Sequence, residues 1–129
     1  MPIKTKRWCD ARKADDGYRL LICRYRPRAL PKADETWDNW CADLGPSKEL
    51  AAEFYGKHGP PISLALYLER YLQEMTQQKE SIDELAALVE QGQTVTLLCS
   101  SACTDPAHCH RTVLKELIEQ RIEERRQTQ

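Results

Sequence analysis

Residues 99–111, Cys-Ser-Ser-Ala-Cys-Thr-Asp-Pro-Ala-His-Cys-His-Arg, gather three cysteines, two histidines and an arginine. Three chemistries suit that set. The first is anion binding. Asp105-Pro106 is a helix-start signal, because aspartate accepts backbone donors as a cap and proline is tolerated at the first helical position. It would place Cys109, His110 and Arg111 in the first turn or two of a helix. Free N–H groups and the positive dipole end favour anions there, and Arg111 adds a forked donor suited to phosphate or carboxylate. The competing role for Arg111 is an ordinary ion pair with a nearby acid.

The second chemistry is metal binding. Cys99, Cys103 and Cys109 with His108 or His110 make the ligand count of a Cys₃His zinc site. The C-x₃-C-x₅-C-H spacing is compressed, however, and Cys99 closes an apolar run where cysteine serves as a small buried hydrophobe. The leading reading therefore assigns no metal and keeps Cys99, Cys103, Cys109 and His110 as the alternative set. The third chemistry is a reactive thiol. A cysteine near a helix N-terminus beside histidine and arginine has its thiolate favoured. Cys109 is then the candidate nucleophile, His110 the proton carrier near neutral pH, and Cys103 an accessible but less activated neighbour. Neither a C-x₂-C pair nor a Cys-x₅-Arg phosphatase loop is present.

Elements must bring these residues to one place. Residues 18–23, Tyr-Arg-Leu-Leu-Ile-Cys, and 94–99, Thr-Val-Thr-Leu-Leu-Cys, are short apolar runs without polar alternation, as in strands buried on both faces of a parallel sheet. Residues 3–8 alternate weakly and make a short first strand, and 36–44 a further strand or an irregular packed segment whose Trp37 and Trp40 serve as core or surface cover. A helix over 45–56 is capped by Ser47 and stopped by Gly56. An amphipathic helix runs from Ile62 to about residue 78. Another opens on a capping box of Ser81 and Glu84 and closes at Gly92. Val113, Leu114, Leu117, Ile118 and Ile122 line one face of a terminal helix.

This order predicts a single α/β domain over 1–129, with helices on both sides of a small, mainly parallel sheet. Ligands of such folds gather beyond the carboxyl ends of the strands. Two of those ends carry chemistry: Cys23 leads into Arg24-Tyr25-Arg26-Pro27-Arg28, and Cys99 into the cysteine-rich stretch. Cys23 and Cys99 lie close together if their strands are neighbours. Cys9, Cys23 and Cys41 stand in or beside apolar segments and are expected to be protected.

A chain of 129 residues with 41% hydrophobic and 30% charged residues is long and apolar enough to fold unaided. A net charge of -1 gives no general attraction to nucleic acid or membrane, so a nucleic-acid role needs a local basic patch. No apolar run approaches the roughly 20 residues that span a bilayer. The N-terminus is positive but lacks an apolar region, so no secretion signal is read, and the six cysteines are expected as reduced thiols in the cytoplasm.

Three blocks in order give the chain a family likeness. "DDGYRLLICRYRPRAL" resembles the opening block of the DUF488 family of small bacterial and archaeal proteins, which reads D-G-x-R, a hydrophobic strand, then R-x-x-P-R-G-L. "WCADLGPSKEL" resembles its central D-L-x-P-S segment, and "VTLLCSSACTDPAHCHRTVLKELI" its closing strand, loop and C-H-R helix. The chain departs in two places: Ala29 stands where glycine is usual, and Cys103 is an additional thiol. The resemblance implies an α/β sandwich with a pocket between the arginine-bearing loop and the C-H-R helix, and attaches no reaction to it.

The expected site is an anion-binding pocket built from Arg24, Arg28, Cys99, Cys109, His110 and Arg111. Read as an enzyme, it acts on a phosphate-bearing or nucleotide-like substrate. Read as a non-catalytic module, it holds nucleic acid or a protein partner on the same basic loop, with Lys4, Lys6, Arg7, Arg12 and Lys13 extending the patch. The sequence names no cofactor and no oligomeric state.

Overall fold

The computed structural model describes residues 3–101, 103–105 and 109–128. Four strands form one sheet: β1 (Ile3–Arg7), β2 (Tyr18–Leu21), β3 (Asn39–Trp40) and β4 (Val95–Cys99). They are ordered β1-β4-β2-β3, and each neighbouring pair is parallel. The domain is thus α/β with a parallel sheet, as the two apolar runs implied. Both runs lie in the middle of the sheet, which explains why neither alternates.

Four α-helices follow the strands: α1 (Lys48–Tyr55), α2 (Leu64–Met75), α3 (Lys79–Glu90) and α4 (His110–Gln127). Ser47 caps α1, its hydroxyl accepting from the Leu50 N–H at 3.1 Å, and Gly56 ends the helix in the left-handed conformation at φ 71°. Ser63 caps α2 in the same way. The α2 segment runs on through a 3₁₀ turn at Thr76–Gln78 directly into α3. Ser81 therefore lies inside α3 rather than at its cap, because the backbone is already helical when it arrives.

Leu20 and its β4 partner Leu97 face a core to which all four α-helices contribute, among them Leu50, Tyr71, Leu85 and Ile118. One residue on, Leu21 and Leu98 face the other way, against Trp37 with Trp8, Cys23 and Leu30. The layer over this second face consists of loops and the 3₁₀ turns Ala14–Asp16 and Lys32–Asp34 rather than α-helix. Pro27 and Pro31 deny the 24–38 segment a continuous helical hydrogen-bond ladder. The second face also buries an ion pair. Asp16 and Arg19 are fully buried 2.5 Å apart, Lys6 reaches Asp16 at 2.7 Å, and the Arg19 Nε donates to the Thr36 carbonyl at 2.8 Å. No helix of the described residues is long and apolar enough to cross a membrane.

Candidate functional site

Adjacent parallel strands end at the same edge, so β2 and β4 deliver their following residues together. Cys23 Sγ lies 4.0 Å from Cys99 Sγ, the proximity the two strand ends imply. Gly45 packs against this edge: a Cβ there would meet the Arg24 nitrogen at 2.6 Å and the Ile22 carbonyl oxygen at 2.8 Å. From the other side the loop after β4 and the start of α4 fold inward. Cys99 Sγ is 3.3 Å from Cys103 Sγ and 3.1 Å from Cys109 Sγ. The sulfurs of Cys99, Cys103 and Cys109 all lie within 4.8 Å of one another.

The helix begins later than Asp105-Pro106 suggests. Cys109, in extended backbone at φ -127°, occupies the N-cap of α4, and His110 is its first residue. Pro106 and His108 lie outside the described residues. Cys109 is thus not a surface thiol in a helical turn but a buried one, 3% exposed. Its thiol is pushed up by the hydrogen bonds with Cys103 and Cys99 and by burial, and Cys99 is pushed up mainly by its bond with Cys103. Half-buried Cys103 has its pKa lowered by its hydrogen bonding with Cys109 and Cys99; the Cys99 thiol donates to it at 3.3 Å. The shift thus runs downward at Cys103 and upward at Cys99 and Cys109. Cys9, expected to be protected, is exposed on the turn after β1, whereas Cys41 is half-buried with its thiol pushed up by burial.

His110 Nε2 lies 2.8 Å from the Ile22 carbonyl oxygen. A carbonyl only accepts, so Nε2 carries the proton, and the lone pair of Nδ1 faces Cys109 Sγ at 3.8 Å. Burial pushes the imidazole pKa below its ordinary value. His110 is thus a fixed neutral acceptor beside Cys109, held edge-on to the Tyr71 ring at 5.2 Å between centroids. Arg111 is also buried, 3% exposed. Its Nη2 donates to the Cys103 carbonyl at 3.3 Å, and its Nε and Nη1 have no partner among the described residues.

Two hollows meet at this edge. A cavity of about 160 Å³ has Cys23, Cys99, Cys103, Cys109 and His110 at one end and Arg24, Tyr25, Phe54, Tyr55 and Tyr67 around the rest. A groove of about 490 Å³ with more cationic side chains is lined by Arg24, Tyr25, Arg26, Arg28, Trp40 and Lys57. Arg24 and Tyr25 line both. Arg24 is anchored by its Nε to the Pro46 carbonyl at 2.9 Å and pairs with Asp43 at 3.3 Å. Of the residues expected in one pocket, Arg24, Cys99, Cys109 and His110 meet in the cavity, Arg28 lies in the groove, and Arg111 lines neither.

The aromatic wall was not foreseen. Phe54 and Tyr55 come just before the Gly56 stop of α1, and Phe54 stacks on Tyr67 at 4.2 Å between centroids. The signal available was their position on the last turn of a short helix pointing back to the strand edge. The basic residues of the N-terminal segment, by contrast, are mostly spoken for. Lys4 pairs with Asp15 at 2.6 Å, Lys6 with Asp16 at 2.7 Å, Arg7 with Asp10 at 3.0 Å and Arg12 with Asp38 at 2.6 Å.

Parallel strands with helices, a buried Asp-x-x-Arg pair, an arginine-bearing loop and a Cys-His-Arg helix start define a single class of small α/β domain. The chain belongs to the DUF488 family: the family model DUF488-N3a, described as the active DUF488-N3 subclade, matches residues 3–122. It is similar to "Uncharacterized protein YeaO" of Escherichia coli (strain K12), with 36% identity over 108 residues, covering 84% of this chain and 90% of that protein. Proteins of Mycobacterium bovis and Mycobacterium tuberculosis are 34% identical over 104 residues, covering 81% of this chain and 82% of each. No solved structure matches.

Proposed function

We propose that the chain is an enzyme that binds a small phosphate-bearing, nucleotide-like molecule at the carboxyl ends of β2 and β4 and acts on it through the sulfur cluster. The observation that carries this reading is that Arg24 and Tyr25 line both compartments. On one side Arg24, Arg28 and Lys57 offer positive charge to a phosphate; on the other the cavity ends in three convergent sulfurs. Tyr25 and Tyr55 are 55% and 68% exposed, and such aromatic faces at the mouth suit a planar ring. Cys103 is the half-buried sulfur, with Cys99 donating to it, Cys109 donating to Cys99, and His110 as the positioning group beside Cys109. The family model's description as an active subclade agrees with an enzyme rather than a scaffold. Six free thiols suit a reducing compartment, which favours the cytoplasm.

The nucleic-acid module draws less support, because four of its five extending cations are already paired with acids. Thermal unfolding in the presence of inorganic phosphate and of nucleoside monophosphates tests the reading. A ligand that binds only the folded chain at 100 times its Kd stabilises it by about 2.7 kcal/mol, several degrees in Tm. Nucleoside monophosphates are expected to exceed phosphate, and Arg28→Ala to remove most of the shift. An equal shift in Arg28→Ala, or none in the parent chain, overturns the assignment.

A further inference from the structure

We propose that Cys99, Cys103 and Cys109 form a three-thiolate site for a soft divalent metal ion of the zinc type, with its fourth position open to the cavity. This rests on the reading of the sulfur cluster as the working end of that cavity. Among the described residues these three cysteines are the group whose ligand atoms all lie within 4.8 Å of one another. Two separations are known individually, 3.3 Å for Cys99–Cys103 and 3.1 Å for Cys99–Cys109. Tetrahedral zinc with bonds of about 2.3 Å sets its sulfurs about 3.8 Å apart, so these two sides need open by only about 0.5 to 0.7 Å. A disulfide would use two of the sulfurs and strand the third, whereas a metal ion uses all of them.

The surroundings fit a charged metal-thiolate centre as well as the sulfurs do. Three thiolates around a divalent ion leave one net negative charge, which burial disfavours unless it is balanced. Arg111 supplies the balance. Its guanidinium is buried, grips the Cys103 carbonyl at 3.3 Å, and keeps Nε and Nη1 without partners among the described residues. Cys109 at the N-cap of α4 adds the positive end of a helix to the same side. His110 orients Cys109 from behind, its Nδ1 3.8 Å from that sulfur and its Nε2 fixed on Ile22, in the manner of groups that position metal-bound ligands. Among the described residues His110 does not join the mutual group, so those residues supply three donors, and water or an oxygen of the bound molecule takes the fourth place. Three protein ligands and one open position is the pattern of zinc sites that do chemistry.

The test uses the full chain, chelator-treated and kept reduced, titrated with Zn²⁺ against a chromophoric chelator and separately with Co²⁺. We expect one zinc per chain with a Kd of about 10 nM or tighter, and thiolate-to-cobalt charge-transfer absorption. Cys103→Ser, at a half-buried loop position, should weaken binding more than about 100-fold, beyond the cost of losing an outer partner. Circular dichroism verifies its fold, and Cys9→Ser, outside the cluster, should bind as the parent does. Absence of zinc uptake at micromolar excess, or parental affinity in folded Cys103→Ser, overturns the proposal. Phosphate-induced stabilisation of the metal-free chain is measured in parallel. If it persists where zinc is not taken up, the metal site fails alone and the cavity reading stands.

Discussion

The ring nitrogen Nε2 of His110 sits 2.8 Å from the carbonyl oxygen of Ile22, tying the first residue of α4 to the end of β2. That bond sets the tautomer of the buried imidazole and the direction of its other nitrogen. It also links histidine protonation to stability. Burial holds the folded-state pKa below the ordinary value of 6.5, so the unfolded chain takes up a proton first as the pH falls. His110 therefore contributes stability that is fully present above pH 6.5 and is lost as the pH drops toward its folded pKa. Urea midpoints at pH 7.5 and 5.5 should show a loss in the parent chain that is smaller in His110→Gln. Equal losses in both would assign the pH dependence to other groups.

The Asp16–Arg19 pair under the second face titrates lower. Burial raises the Asp16 pKa, but hydrogen bonds from Lys6, the Lys13 N–H and Arg19 outweigh it and hold the carboxyl at about 2. A depressed folded pKa means that the stabilisation is present above pH 4 and lost as the pH falls from 4 toward 2. Asp16→Asn would leave the Arg19 guanidinium buried without its charge partner, at a cost of about 3 to 5 kcal/mol at pH 7. The difference between parent and variant, read from denaturant unfolding, should shrink below pH 3. A cost under about 1 kcal/mol at pH 7 would contradict this account.

Ala29 adopts φ 56°, the left-handed region that glycine enters without penalty. The glycine that the family resemblance implies after Pro-Arg would meet this backbone need, and the alanine here carries strain of about 1 kcal/mol. Ala29→Gly should raise stability by up to about that amount, with the ligand-induced shift in Tm preserved. A destabilised Ala29→Gly would mean that the methyl packs usefully and the strain is small.

Much of the scaffold is legible in the chain. The unalternating runs ending at Cys23 and Cys99 identify two central strands, and Ser47 and Gly56 bound α1 where the structure has it. Burial is less legible where it involves charge. Arg19 looks like a polar interruption of an apolar run, and only the D-G-x-R spacing hints that Asp16 holds it beneath the sheet. The three thiols are visible as a cluster, but the burial of Cys109 is not. That depends on Cys109 standing outside the helix rather than within it, a backbone detail that the Asp105-Pro106 signal obscures. Tyr67 reaches the cavity from α2, almost thirty residues before β4, and only tertiary packing brings them together.

The central claim is that the basic groove and the sulfur cluster serve one bound molecule. It is tested most directly by alkylating the metal-free Cys9→Ser chain with a limiting reagent near pH 7 and mapping the modified residues by peptide mass spectrometry. Cys103, half-buried and favoured as the thiolate, should react first, while Cys99 and Cys109 stay protected in the folded chain. A saturating nucleoside monophosphate should slow the reaction at Cys103 at least about tenfold in this background, and do so far less when Arg28→Ala is added. Similar rates at Cys23, Cys99, Cys103 and Cys109, or a Cys103 rate indifferent to the nucleotide, would contradict a single shared site.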